Sequence, residues 1–328
     1  MRYFDPLSKM EDSKLLTLML LSAIAVGQCY SGNMHMKVCP GRYCGRIVQG
    51  NTSQEVGECG ACPRGSRSDG TFCVKCSNSL SMYDWLYLGF MFLTVLVLHW
   101  FFIDYFSKRS KKVIVILFIC AAIETLCAAI VTLLLNEPKG SLNLISCKSE
   151  QLSDWYTVFF NPKPDYVNTI YCTNEAVYPL YTIVLTFFAM SVALLLLVRP
   201  ISSHYICADQ GISSIYAALY FLPILATVHA LFGGLLYYTY PYIIVVSAIL
   251  SNATVLARNR IMGFRQLLSS KRHIGIVLGH WTLLAYGFLG LTQLAQPAIH
   301  GPMFILVTAP VLFYLATSSL TDPIKFKR

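Results

Sequence analysis

Charge is scarce in this 328-residue chain. Asp, Glu, Lys and Arg make up 12% of it, where soluble domains carry about 25%. That shortage, with 55% hydrophobic residues and a mean hydropathy of +0.57, excludes an ordinary soluble domain. Acids are scarcer than bases, 16 against 25, and the net charge of +9 invites a nucleic-acid reading. No RNA- or DNA-binding motif and no long basic helix supports it. The basic residues cluster instead at the ends of apolar runs, so no nucleic-acid partner is expected. Catalytic motifs are missing too: there is no H-E-x-x-H helix, no G-x-S-x-G elbow, no P-loop, and no carboxylate pair at helical spacing within one apolar run. The chain reads as a non-enzyme without a cofactor.

What is present is apolar sequence, almost continuous from 84 to 320. A helix needs about 20 apolar residues to cross ~30 Å of hydrocarbon. Seven segments qualify: 85–106, 113–135, 176–198, 214–232, 237–257, 274–294 and 303–320. The fourth and fifth form one stretch too long for a single span, and Gly233-Gly234 and Tyr240-Pro241 supply a turn between them. The connections alternate in charge. Segment 107–112 holds four basic residues and no acid, and 258–273 holds five and none. The tail 321–328 carries Lys325, Lys327 and Arg328 against Asp322, and 199–213 is nearly neutral, with Arg199 and Asp209. On the other side, 136–175 sets Lys139, Lys148 and Lys163 against Glu137, Glu150, Asp154, Asp165 and Glu175. Positive loops stay cytosolic, which predicts a lumenal N-terminus, a cytosolic C-terminus and membrane lipids as neighbours.

Residues 15–26 are apolar but short, follow Lys9 and Lys14, and end in the small-residue stretch Ala25-Val26-Gly27. They read as a signal peptide over 1–27; an uncleaved anchor helix is the alternative. Residues 28–82 then form a cysteine-rich head. Cys39, Cys44, Cys59, Cys62, Cys73 and Cys76 follow the spacing C-x4-C-x14-C-x2-C-x10-C-x2-C. Two C-x2-C pairs fit a zinc site or a disulfide module. The sequon Asn51-Thr52-Ser53 inside this window points to an oxidising lumen, and so to disulfides and a glycan at Asn51. Cys147 and Cys172 fall in the lumenal segment 136–175, where a bond between them closes the segment into a lid. The expected fold is an all-α polytopic membrane protein, with seven transmembrane helices over 83–320 and a small disulfide-rich lumenal N-terminal domain.

The 136–175 segment is dense in aromatics around Asp154, Trp155, Tyr156, Pro162, Asp165 and Tyr166. Such a loop packs on the membrane interface, on the head, or on a partner, where it forms a recognition surface. Within the spans lie His99, Glu124, His229, Asn252 and His280. Intramembrane polar groups face other helices or water, as a proton or ion pathway or as interhelical bonds; a histidine on another span is one partner for Glu124. His99-Trp100 and His280-Trp281 invite a structural pairing.

In order along the chain come Gly57-Glu58-Cys59-Gly60, Cys62-Pro63-Arg64-Gly65, Tyr83-Asp84-Trp85-Leu86-Tyr87-Leu88-Gly89-Phe90-Met91 and Leu98-His99-Trp100-Phe101-Phe102-Ile103. Leu152-Ser153-Asp154-Trp155-Tyr156-Thr157, Pro164-Asp165-Tyr166-Val167, Gly233-Gly234-Leu235-Leu236-Tyr237-Tyr238 and His280-Trp281 follow. With these motifs the chain resembles the Jun-kinase-associated membrane protein family (JAMP), seven-span proteins of the endoplasmic reticulum. The resemblance implies an adaptor in that membrane, linking proteasome subunits and ubiquitin-ligase components to disposal of misfolded proteins. It also implies binding of Jun N-terminal kinase in stress signalling.

Two other functions compete. A seven-span receptor binding a ligand through its head is one, although span 3 ends Leu197-Val198-Arg199-Pro200, without an acidic-Arg-aromatic triplet. A transporter or channel is the other, although no internal repeat is evident. Surface expression favours the receptor; a flux dependent on Glu124 favours transport.

Overall fold

The computed structural model describes residues 38–48, 56–106, 111–160, 172–205, 212–261 and 263–318. The signal-peptide segment, Asn51, Pro162, Asp165, Tyr166, the basic residues 108 and 109 and the tail 321–328 lie outside the described residues.

The protein is a helical membrane bundle carrying a disulfide-rich head. Its helices are α1 (Met82–Phe106), α2 (Lys111–Leu135), α3 (Leu180–Tyr205), α4 (Ile212–Arg258), the short α5 (Phe264–Leu268) and α6 (Lys271–Thr292). A last run passes from α7 (Pro297–Met303) through the 3-10 turn Phe304–Thr308 into α8 (Ala309–Thr317). Six helices among the described residues are long and apolar enough to cross a membrane: α1, α2, α3, α4, α6 and the run Pro297–Thr317. Their outward faces carry Phe101, Ile119, Leu197 and Phe313, so they are apolar outside as well as in, which suits hydrocarbon as solvent.

The break between the fourth and fifth predicted spans falls beside Gly233-Gly234, as expected, while Tyr240-Pro241 lies inside the second helical arm and takes no part in the turn; the two arms together are α4. That helix runs for 47 residues and breaks its helical geometry at Phe232 (φ −121°, ψ 18°). A straight helix of that length would be about 70 Å long, more than twice the hydrocarbon thickness. The two glycines beside Phe232 loosen the backbone where the two helical arms meet. Before the bend, Phe221 stacks on Phe102 near the far end of α1, and His229 reaches Tyr87 near its start. After it, Tyr237 meets Tyr83, and Tyr240 lies against Tyr87 and Phe90. Both arms therefore lead away from the bend toward the end of the bundle opposite the head.

The third predicted span also starts late. Ala176 to Pro179 form a turn, and the helix begins at Leu180. Ala176, Val177 and Tyr178 are apolar because they are buried beneath the head, not because they face lipid.

The head is built from short antiparallel pairs. β1 (Cys44–Val48) pairs with β2 (Val56–Ala61), and β3 (Ser66–Ser68) with β4 (Cys73–Lys75). β5 (Asn78–Ser79) pairs with β6 (Ile145–Ser146), which belongs to the segment between α2 and α3. So little apolar surface cannot hold these strands alone, and disulfides do so. Cys39–Cys59 and Cys62–Cys73 close the head on itself. Cys44–Cys172 and Cys76–Cys147 tie it to the α2–α3 segment.

The expected Cys147–Cys172 bond is thus not formed. The Asn78↔Ser146 register places Cys147 beside Cys76, while Cys172 is buried among Cys39, Cys44 and Cys59. Members of the two C-x2-C pairs also bond to separate partners and converge on no single centre.

Candidate functional site

The head meets the bundle at a polar junction centred on Asp154. This carboxylate is 1% exposed and lies in the 3-10 turn Leu152–Trp155. The backbone N–H groups of Glu150 and Gln151 donate to its Oδ2 at 2.9 and 3.0 Å. The Arg67 guanidinium, from β3, donates to Oδ2 at 3.2 Å and also reaches Glu150. Tyr43 donates to Oδ1 at 2.9 Å. Burial holds the Tyr43 hydroxyl above its usual pKa, so it remains a donor. Asp154 and Trp155 are consequently interior residues, and the sequence reading of them as a loop surface is corrected. A carboxylate with this many donors gains more from the head than from water. Tyr156, beside them, is half-buried.

Trp155 carries the junction into the membrane layer. Its ring lies on the two glycines at the bend of α4, where a Cβ on Gly234 would stand 2.7 Å from the Trp155 Cβ. Around it sit Tyr87, Tyr237 and His229, with centroids 5.9, 5.0 and 6.4 Å away. His229 is fully buried and bridges two helices. Its Nε2 donates to the Tyr181 carbonyl at 3.2 Å, which leaves Nδ1 to accept from the Tyr87 hydroxyl at 3.2 Å.

A second polar cluster lies deeper. Glu124 of α2 bonds Arg199 of α3, where the sequence suggests a histidine on another span. The guanidinium reaches Glu124 Oε2 at 2.5 Å and donates to Nδ1 of His99, on α1, at 3.2 Å. Arg199 is 0% exposed and joins three helices. The sequence reading placed it in the 199–213 connection, but α3 continues through Pro200 to Tyr205. Among the described residues, Glu124 Oε1 and Arg199 Nε find no hydrogen-bond partner. His280 bonds Ser251 of α4 at 2.9 Å, so the two His-Trp dipeptides have separate partners. Asn252 is buried in α4.

The arrangement joins the head to the helices and the helices to one another. Among the described residues, no group of three or more metal-ligating side chains converges.

The JNK1/MAPK8-associated membrane protein family model matches residues 39–323. The chain belongs to that family. It is 44% identical over 292 residues to the mouse JNK1/MAPK8-associated membrane protein, covering 87% of this chain and 94% of the relative. The human protein of the same name matches to the same extent. A Caenorhabditis elegans homolog is 27% identical over 304 residues, covering 86% and 93%. No solved structure matches the chain.

Within this JNK1/MAPK8-associated family member, the structure brings Asp154, Trp155 and His229 into one junction, and His99 and Glu124 into another cluster. Tyr43, Arg67 and Arg199 complete these sites and were not foreseen. For Arg199 a signal existed, since a carboxylate in the middle of an apolar helix needs a counter-charge from another helix. For Tyr43 and Arg67 no local signal exists, because their partner lies 111 and 87 residues away.

Proposed function

We propose that this chain is a membrane adaptor of the endoplasmic reticulum that recruits Jun N-terminal kinase on its cytosolic side. On the same reading, it couples proteasome subunits and ubiquitin-ligase components to disposal of misfolded proteins. The observation that carries the proposal is the 44% identity, over nearly the whole length, to proteins named for their association with JNK1/MAPK8. In this reading α4 crosses the bilayer twice, the head is lumenal and the C-terminus cytosolic. Two features support that orientation. Four disulfides gather at one end of the bundle, as an oxidising compartment favours. Arg258, Arg260, Arg265, Lys271 and Arg272 lie between α4 and α6, at the other end, where positive loops remain cytosolic.

Proximity labelling from a C-terminal tag, repeated under lumenal folding stress, tests the proposal. Glycosidase sensitivity of the Asn51 glycan is scored in parallel. Recovery of the kinase, proteasome subunits and ubiquitin ligases with an immature glycan is expected. A mature glycan with G-protein neighbours overturns the adaptor and favours the receptor.

A further inference from the structure

A cleft of about 430 Å³ opens beside the junction, where the head-side ends of α1 and α6 and the turn region of α4 meet the segment between α2 and α3. Its wall is aromatic: Tyr83, Tyr237, Tyr238 and Tyr242 all line it. At its floor lies Asp84, 6% exposed, whose carboxylate accepts from the Ser81 N–H, the Ser81 hydroxyl and the Tyr237 hydroxyl. These donors are all neutral. Among the described residues, no cationic side chain pairs with Asp84. The last turn of α6 also borders the cleft through Gly290 and Leu291, and that turn contains no basic residue. Its carbonyl ends add partial negative charge. Lys148 stands on the rim and forms no ion pair among the described residues.

These groups specify an occupant. A buried carboxylate, the negative end of a helix and four tyrosine rings attract a cation, and rings favour one whose charge is spread over methyl groups. The lysine on the rim fits an anionic group next to that cation. The helix ends place the cleft at the polar edge of the membrane, the level at which tyrosines anchor proteins among lipid headgroups. We propose that this cleft binds a phosphocholine group, with the trimethylammonium among the tyrosines over Asp84 and the phosphate at Lys148. The source is a choline phospholipid of the surrounding leaflet, its acyl chains passing down beside Leu291 and Pro241, which also line the cleft.

The test is native mass spectrometry on the full chain, presented with equimolar phosphatidylcholine, phosphatidylethanolamine and phosphatidylglycerol. Preferential retention of phosphatidylcholine is expected. Tyr238→Leu with Tyr242→Leu should weaken that retention about tenfold, while Tyr242→Phe, which keeps the ring, should preserve it. Tyr238 and Tyr242 are 36% and 60% exposed, and an unchanged unfolding midpoint of the double leucine variant controls for folding. Lys148→Ala should weaken phosphatidylcholine retention by a smaller factor. Equal retention of the three lipids, or selectivity unchanged in the double leucine variant, overturns the site. Competition with soluble phosphocholine separates the sources. Retention that resists it supports the lipid, and ready displacement overturns the lipid as source in favour of a soluble phosphocholine compound.

Discussion

Asp154 and Arg199 are both buried charges, yet they are satisfied in opposite ways. Asp154 sits in an irregular turn, where two nearby backbone N–H groups are free to donate and distant side chains complete the set. Arg199 sits in a helix whose carbonyls already bond along the chain, so every partner must come from another helix. The loop solution leaves its carboxylate well supplied. The helix solution leaves Glu124 Oε1 and Arg199 Nε without a partner among the described residues. Charge is therefore a local matter at the junction and a three-helix matter in the membrane.

Breaking the membrane cluster should cost most. Arg199→Met alone strands the Glu124 carboxylate and should destabilise the protein by about 3–5 kcal/mol in detergent unfolding titrations. Adding Glu124→Met should recover most of that loss; a double variant no better than the single one would refute the pairing. Asp154→Asn keeps the shape but removes the charge facing Arg67, and should cost about 2 kcal/mol. Its loss should show as faster hydrogen exchange in residues 150–155, with α2 and α3 unaffected.

Gly234→Ala addresses the join between loop and membrane. The added methyl meets Trp155, and about 1–3 kcal/mol should be lost. The double change Gly234→Ala with Trp155→Leu should be less than additive in thermal unfolding. Asp69, on the surface of the head, gives the smallest effect. Backbone N–H groups of Phe72 and Thr71 hold its pKa below the usual carboxylate value. Its contribution is present above the unfolded-state pKa and is lost as pH falls through the lower folded value. Asp69→Asn should therefore lower stability slightly at neutral pH, and its difference from the parent chain should vanish as pH falls below the folded pKa.

The helices were legible because hydrocarbon imposes a length and a composition on any segment that crosses it. Eight of the cysteines were legible as disulfide formers from compartment and density, but their pairing was not. It depends on β5 finding β6, a contact between segments on either side of two helices. The break within α4 was legible from Gly233-Gly234, which stand beside the non-helical Phe232, whereas Tyr240-Pro241 lies inside the second arm. A short break leaves little backbone without partners where water is scarce. Arg199 was hidden by Pro200, whose position inside α3 only the packing reveals.

Cys44–Cys172 and Cys76–Cys147 have a consequence for biosynthesis. Their partners are separated by 128 and 71 residues. A nascent chain exposes Cys44 and Cys76 well before their mates have been synthesised, and both α1 and α2 must be threaded in the meantime. The head thus stays open until that helical pair has been placed with its two ends on the same side. An inverted or skipped helix strands the early thiols, and their persistence would mark a wrongly inserted molecule while it is still being made.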